Sequence, residues 1–232
     1  MSQLALPLTL PDHSRFATFV AGPNAAAVEH VRAVATGVGE TLWLWGAAGT
    51  GKTHLLQAAC REASPARRAM YLSLVGPGLS PDMLRGLDEL DLLAIDCVDA
   101  VAGSSEWERR LFVVLNDFVA RRGSLLLTAR VAAPAAGFAL PDLASRAAGA
   151  VSYRLHALDD RDRARVLIER AAARGLDLDK TAADYLLHRV ERDMSKLGTW
   201  LDRLDKASLA ERRRLTIPFI RDLLAARRSG AD

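Results

Sequence analysis

Short apolar runs alternate with amphipathic stretches over the first two thirds of the chain. The runs lie at 41–46, 69–74, 91–96, 124–129 and 151–158, and their nearly continuous hydrophobic residues are typical of buried strands. Helical patterns lie between them at 24–36, 52–63, 81–87 and 104–123. This alternation predicts an α/β fold, in which a parallel sheet is covered by helices on both faces.

The pattern changes after Leu158. Four helical patterns follow without a strand, at about 160–174, 179–190, 193–209 and 216–227. Residues 1–14 contain two prolines and no helical period. We therefore predict an extended tail over 1–14, an α/β domain over 15–158 and a small all-α domain over 159–232.

Composition supports a globular protein and excludes several other classes. Half of the 232 residues are hydrophobic and a quarter are charged, which is ordinary for a folded domain and excludes a disordered chain. No apolar run is long enough to cross a bilayer, and no signal peptide is visible at the N-terminus. Cys60 and Cys97 match no metal or redox spacing. We expect a cytoplasmic protein with no membrane partner.

The net charge is only +3, and the excess of basic over acidic residues lies after Leu158. This weak positive charge permits contact with nucleic acid without requiring it.

The segment that joins the first strand to the next helix has the pattern GxxxxGK[ST]. Its residues are Gly46, Ala47, Ala48, Gly49, Thr50, Gly51, Lys52 and Thr53. In such a loop the backbone N–H groups surround phosphate oxygens, the lysine reaches the β- and γ-phosphates and the hydroxyl binds Mg²⁺. A glycine-rich turn is the alternative, but the position between a strand and a helix favours a nucleotide site. His54 follows the loop and is a further candidate for contact with the nucleotide.

Asp96 ends the apolar strand 91–96 and is the second candidate for holding Mg²⁺, together with Thr53. An acidic residue at a strand end is common for other reasons, so this role depends on the phosphate loop. The next residue, Cys97, cannot polarise a water molecule as a glutamate would. The sequence therefore predicts a protein that binds a nucleotide with Mg²⁺ and lacks an obvious base for hydrolysing it.

Several stretches together resemble the DnaA clade of AAA+ ATPases, and within it the Hda family of DnaA-related regulators. They are FATFV at 16–20, the loop at 46–53, the strand that ends at Asp96, LPDLASR at 140–146 and LTIPF at 215–219. The resemblance implies a P-loop AAA+ sheet followed by a helical lid domain. It also implies a regulator of replication initiation that binds the DNA polymerase III sliding clamp (its beta subunit) and stimulates hydrolysis of the ATP bound to DnaA.

The resemblance assigns roles to three further sets of residues. Arg146 would be an arginine finger that acts in trans, Phe16, Phe19 and Val20 would contact adenine, and Gln3, Leu4, Leu6, Pro7 and Leu8 would bind the clamp. From the residues alone, purely structural explanations of these three sets stay open. Arg146 could pair with Asp142 one helical turn away, the phenylalanines could be core residues, and the tail could be a frayed terminus. A homo-oligomer is also left open.

The resemblance implies that the bound nucleotide is ADP or ATP, and three departures from the family pattern favour slow or absent intrinsic hydrolysis. Cys97 follows the strand-end aspartate, Arg130 stands where the family usually has an aspartate, and Ser195 stands where a lid arginine is expected. No residues follow the fourth lid helix that could form a helix-turn-helix, so we expect no sequence-specific DNA-binding domain. We expect the basic cluster at 212–214 to be solvated. The alternative functions are a helicase-loader-like or DNA-remodelling ATPase that binds single-stranded DNA, and an adaptor whose nucleotide only stabilises the fold.

Overall fold

The computed structural model describes residues 14–63, 67–190, 194–211 and 215–229. The described strands are β1 (Thr41–Trp45), β2 (Ala69–Ser73), β3 (Leu92–Asp96), β4 (Ser124–Ala129) and β5 (Val151–Arg154). The helices among them are α1 (Ala25–Thr36), α2 (Lys52–Ala63), α3 (Ser105–Ala120) and α4 (Pro141–Ala148). The chain divides into two compact units between His156 and Ala157.

The five strands form one parallel sheet in the order β2-β3-β4-β1-β5. The three central strands are almost completely buried, which explains their unbroken apolar runs. On the edge strand β5, Val151 and Tyr153 are half-buried while Ser152 and Arg154 are exposed. This strand ends at Arg154, four residues before the predicted end at 158.

Each face of the sheet packs against helices. On one face, Trp43 and Leu127 belong to a hydrophobic cluster with Leu111 of α3 and Leu143 of α4. On the other face, Leu42, Leu44 and Leu126 pack in a cluster with Val31 of α1 and Leu55 of α2. Alternate residues of β1 therefore serve opposite faces, as the period of a strand requires. The prediction of an α/β fold with helices on both faces is confirmed.

Two of the helices predicted in the α/β domain end earlier than predicted, and so does the helix predicted over 179–190, which is observed over Lys180–Leu187. The segment predicted as a helix over 81–87 forms a 3₁₀-helix, Pro81–Leu84, and Gly86 has a left-handed φ of +67° that does not continue a helix. The helix predicted over 104–123 ends at Ala120, because Arg122 adopts a left-handed φ of +54°. The ends at Leu84 and Ala120 are set by backbone conformation, which the hydrophobic pattern does not report.

The second unit contains helices only in its described part: α5 (Asp160–Ala172), α6 (Lys180–Leu187), α7 (Met194–Glu211) and α8 (Ile217–Ser229). Asp159 and Asp179 cap α5 and α6, since their carboxylates accept from the N–H groups of Asp162 and Ala182, both at 2.7 Å. Its own core is fully buried and includes Leu167, Leu186, Leu201 and Ile220. Among the helices that the structure describes, none is long and apolar enough to cross a membrane.

Asn24 connects the start of α1 by hydrogen bonds to the segment that follows β5. The position precedes α1, but the side chain caps no helical N–H. Its amide instead donates to the carbonyl oxygen of His156 at 3.0 Å and accepts from the N–H of the same residue at 2.7 Å. Asn24 is buried, and it is the partner of both backbone groups of the exposed His156.

We expect Asn24→Ala to lower the free energy of unfolding by about 2 kcal/mol, because it removes two hydrogen bonds between a buried amide and the backbone of His156. The matched control is Asn116→Ala, since the Oδ1 atom of Asn116 is buried without a hydrogen-bond partner in the described structure. Urea denaturation measures both variants. Equal losses of stability in the two would contradict this role of Asn24.

Candidate functional site

The loop between β1 and α2 depends on glycine at two positions. Gly46 has a φ of +150°, and an added Cβ there would lie 2.4 Å from the carbonyl oxygen of Leu155. Gly51 has a φ of +94°, and its added Cβ would lie 2.5 Å from Cε2 of Phe19. The loop also bonds to itself, since the buried Thr50 donates through Oγ1 to the carbonyl of Ala47 at 3.0 Å. The backbone therefore has the open, side-chain-free surface that a phosphate group needs.

Lys52 begins α2 and is buried under this loop. Its ammonium donates to the carbonyl oxygens of Gly46 at 2.7 Å and Ala47 at 2.8 Å. Burial lowers the pKa of Lys52, and the negative charge of Asp96 opposes that shift. A hydrogen bond from this ammonium to a charged phosphate oxygen would be stronger than its bonds to the neutral carbonyls.

Thr53 and Asp96 lie together at the carboxyl end of β3. Thr53 donates through Oγ1 to Oδ2 of Asp96 at 2.6 Å, and Tyr71 donates to the same oxygen at 3.0 Å. Thr128 at the end of β4 donates to the other carboxylate oxygen, Oδ1. The structure thus brings together the two residues predicted to hold Mg²⁺. Their hydroxyl and carboxylate oxygens are the donors that Mg²⁺ prefers.

Tyr71 was missed by sequence reasoning. It lies on β2, the strand beside β3, where Tyr71 is opposite Ala94 and Ser73 is opposite Asp96. Burial and the neighbouring charge of Asp96 raise the pKa of Tyr71, so it stays a hydrogen-bond donor at neutral pH. Only the order of the strands reveals this contact, because a tyrosine in an apolar run is ordinary.

The residues after Asp96 offer no base for hydrolysis. Cys97 adopts a left-handed φ of +62° and donates its backbone N–H to Oγ1 of Thr128 at 3.0 Å. Burial raises the pKa of its thiol to about 11. Asp99 accepts from both the backbone N–H and the Nε of Arg130, each at 3.2 Å. Arg130, which departs from the family pattern, therefore forms an ion pair with Asp99. Asp99 is the nearby carboxylate that could otherwise have served as the base in place of a glutamate after Asp96, so it is not free for that role.

The residues predicted to contact adenine differ in how far they are buried. Phe19 is half-buried and packs beside the loop, with its ring centroid 5.3 Å from that of His54. Phe16 is buried in the core between α1 and α2, and the Arg32 guanidinium lies 4.8 Å from its ring centroid. Val20 is half-buried. Phe19 is thus the predicted adenine residue with a direct approach to the loop, at Gly51.

The chain just before Phe16 is fixed to α2. Ser14 donates to Oε1 of Gln57 at 2.8 Å, and the Nε2 of His54 bonds to the carbonyl of Arg15 at 2.9 Å. His54 therefore holds the backbone that leads into Phe19, in addition to its contact with the Phe19 ring.

Arg146 lies on α4, exposed to solvent. It forms no ion pair with Asp142 or with any other acidic residue that the structure describes, so the alternative of a surface salt bridge has no support. A groove of about 480 Å³ adjoins it, between α3 and α4. The groove is lined by Thr41, Phe112, Leu115, Val119, Asp142, Ser145, Arg146, Gly149 and Ala150.

Other predicted features cannot be placed. The residues Gln3, Leu4, Leu6, Pro7 and Leu8 and the cluster at 212–214 lie outside the described residues, and so does the side chain of Ser195. Within the described residues, no group of three or more histidine, cysteine, aspartate or glutamate side chains could hold a metal ion.

Comparisons with known proteins match both units of the chain. The family model for the Hda lid domain matches residues 160–224, and the model for the bacterial DnaA ATPase domain matches residues 10–75. Domain III of the Thermotoga maritima replication initiation protein DnaA is 20% identical, with a TM-score of 0.80 over 93% of this chain and 96% of that chain.

Two further structures extend the comparison. AMPPCP-bound DnaA from Aquifex aeolicus is 24% identical, with a TM-score of 0.72 over 86% of this chain and 67% of that chain. The Thermotoga maritima RuvB Holliday junction branch migration motor is 17% identical, with a TM-score of 0.66 over 87% of this chain and 67% of that chain. These structural likenesses show a shared fold. The family models, one in each unit, relate the chain more specifically to Hda and DnaA proteins. The chain is an Hda/DnaA-like AAA+ protein with a helical lid domain.

Proposed function

We propose that this protein is a cytoplasmic regulator of DNA replication initiation. It binds ADP or ATP with Mg²⁺ at the loop 46–53, is tethered to the sliding clamp by residues 3–8, and brings Arg146 to ATP-bound DnaA. Hydrolysis of the ATP that DnaA holds is thereby stimulated. Neither family match covers residues 3–8, so the clamp contact rests on the resemblance of that peptide alone.

Nucleotide binding is supported by the site and by two neighbours. Lys52 is a buried cation next to a glycine loop, and Thr53 lies against Asp96 in the arrangement that suits Mg²⁺. Two DnaA structures similar to this chain are described as bound to AMPPCP, an adenine nucleotide analogue. When bound, Mg²⁺ would neutralise phosphate charge at this place.

The observation that carries the proposed action on DnaA is the exposed Arg146 without an acidic partner. An arginine that is already free of a salt bridge can meet a phosphate on another molecule without first breaking a bond in its own chain. Its planar guanidinium has five N–H donors in a fixed fork, and its charge is permanent. Placed against the terminal phosphate of a partner's ATP, it would neutralise charge that develops as the bond to the leaving oxygen breaks.

The protein's own site favours binding over turnover. Asp96 accepts three hydroxyl donors, Cys97 has a protonated thiol, and Asp99 pairs with Arg130. None of these groups is available to take a proton from an attacking water. We expect the purified protein to turn over ATP well below about 1 s⁻¹. A phosphate-release assay with excess ATP checks this, and turnover at ordinary enzyme rates would contradict it.

The proposed function is tested by mixing the protein with ATP-loaded DnaA and with clamp loaded on DNA. We expect hydrolysis of the DnaA-bound ATP to accelerate only when all three are present. A second candidate comes from a neighbour described as DnaA bound to AMPPCP and single-stranded DNA. If single-stranded DNA alone stimulates this protein's own ATPase and the clamp does not bind, the DNA-remodelling function replaces the proposed one.

A further inference from the structure

Glu108 is a buried carboxylate near the start of α3. Only 1% of the residue is exposed, and a carboxylate is seldom buried this completely unless it is paired. No lysine, arginine or histidine that the structure describes pairs with it. A charge in this environment needs other compensation, so its partners indicate what it does.

Three backbone N–H groups provide that compensation. Gly103 donates to Oε1 at 2.6 Å, Ala139 donates to the same oxygen at 3.0 Å, and Leu140 donates to Oε2 at 2.6 Å. Burial alone would raise the pKa of Glu108, but the three donors outweigh it and hold the pKa below its usual range. The side chain is therefore a carboxylate at neutral pH, with both oxygens in use.

These donors come from two separate segments of the chain. Gly103 follows the 3₁₀-helix Val98–Val101, which leads away from the strand that ends at Asp96. Ala139 and Leu140 immediately precede α4, the helix that carries Arg146. Leu140 occupies the cap position of α4 and has no side chain that could cap it. The carboxylate also lies near the positive end of that helix, which favours it electrostatically.

We propose that Glu108 is a positioning residue for Arg146. It fixes the start of the short helix α4 against α3 and the loop at Gly103, so that the exposed guanidinium is held in one place before DnaA arrives. This inference rests on the proposed function, because it concerns how the finger is presented. A misplacement of about 1 Å in a group that acts on a transition state can lower its rate contribution by about 100-fold.

The isosteric variant Glu108→Gln separates this role from packing. An amide has one acceptor oxygen and one NH₂ group, so it cannot accept from Leu140 and from the Gly103–Ala139 pair at once. Size and burial are unchanged. Glu106→Gln is the matched control, because Glu106 is an exposed glutamate of the same helical turn.

The experiment measures stimulated hydrolysis of DnaA-bound ATP on loaded clamp over a range of protein concentrations. We expect Glu108→Gln to lower the maximal rate about 10- to 100-fold and to leave the half-saturating concentration within about twofold. Rates are given per folded molecule, counted by nucleotide-binding stoichiometry. Glu106→Gln is expected to behave as the unmodified protein does.

A second variant tests the same contact from its other side. Leu140→Pro removes the N–H that Glu108 accepts, and the φ of −78° at Leu140 suits proline. We expect a similar fall in maximal rate. This variant also serves as the test if Glu108→Gln does not fold.

Combination with Arg146→Ala distinguishes the possible outcomes. If Glu108 acts through Arg146, Glu108→Gln has no further effect on a protein that already lacks the arginine. Two results would overturn the positioning role alone. One is that Glu108→Gln lowers the stimulated rate equally with and without Arg146. The other is that Glu108→Gln leaves the rate unchanged while Arg146→Ala is inactive. An unchanged rate in Arg146→Ala overturns the proposed function, and the role of Glu108 with it.

Discussion

Replacement of Arg146 by alanine is expected to lower the stimulated hydrolysis of DnaA-bound ATP by about 10³- to 10⁵-fold, the range measured for arginine fingers in general. The structure offers a reason for so large an effect. The guanidinium is exposed on α4 and has no acidic partner in the described chain, so its full charge is available to a second molecule. Single-turnover hydrolysis with labelled ATP on DnaA measures the change.

Two control variants test whether the effect is specific to Arg146 and to its guanidinium group. Arg109→Ala removes an exposed arginine from α3, and we expect the stimulated rate to stay within about twofold. Arg146→Lys keeps the charge and loses the planar fork, so most of the stimulation should still be lost. Stimulation by Arg146→Ala at the unmodified rate would show that another group acts on the ATP.

Deletion of residues 1–8 has the second large expected effect, the loss of clamp binding. The peptide offers Leu4, Leu6 and Leu8 as apolar anchors and Gln3 as a combined donor and acceptor. Burial of each leucine on a partner contributes about 1.5–3 kcal/mol, so the loss of all three should weaken binding by a factor of about 10³ or more. Surface plasmon resonance with immobilised clamp measures the affinity.

The tail experiment has its own control within the same segment. Leu10→Ala changes a leucine just outside the proposed peptide and should leave clamp affinity within about twofold. The deleted protein should still bind ADP with unchanged affinity, because the loop 46–53 is intact. If clamp binding survives the deletion, the clamp contact lies elsewhere on the protein and the proposed tether is wrong.

The phosphate loop and the sheet were predictable because their signals are local. Buried strands give unbroken apolar runs, and the loop residues Gly46–Thr53 are contiguous in the sequence. The Thr53–Asp96 pair also followed, because the end of one strand and the start of a helix meet at the carboxyl edge of a parallel sheet. The contact between Thr53 and Asp96 was therefore predictable, and the role of the two residues towards a nucleotide stays a prediction.

What sequence reasoning missed depends on contacts between distant residues. Tyr71 reaches Asp96 from the next strand, Glu108 reaches Leu140 across 32 residues, and Asn24 reaches His156 across 132. Each is an ordinary residue type in its local context. The left-handed backbone of Cys97 was missed for a different reason, since non-glycine residues seldom adopt it and no pattern predicts it.

The attachment of Ser14 and Arg15 to α2 would limit how far the protein could move from a clamp bound to residues 3–8, as proposed. Five residues lie between Leu8 and Ser14, and the six steps from one residue to the next span at most about 20 Å even when fully extended. A clamp-bound molecule would thus be joined to the clamp by a short linker, and the linker would end beside α2, the helix that follows the phosphate loop. Its search for DnaA would be confined to a small volume around the clamp, where the effective concentration of the two proteins is high.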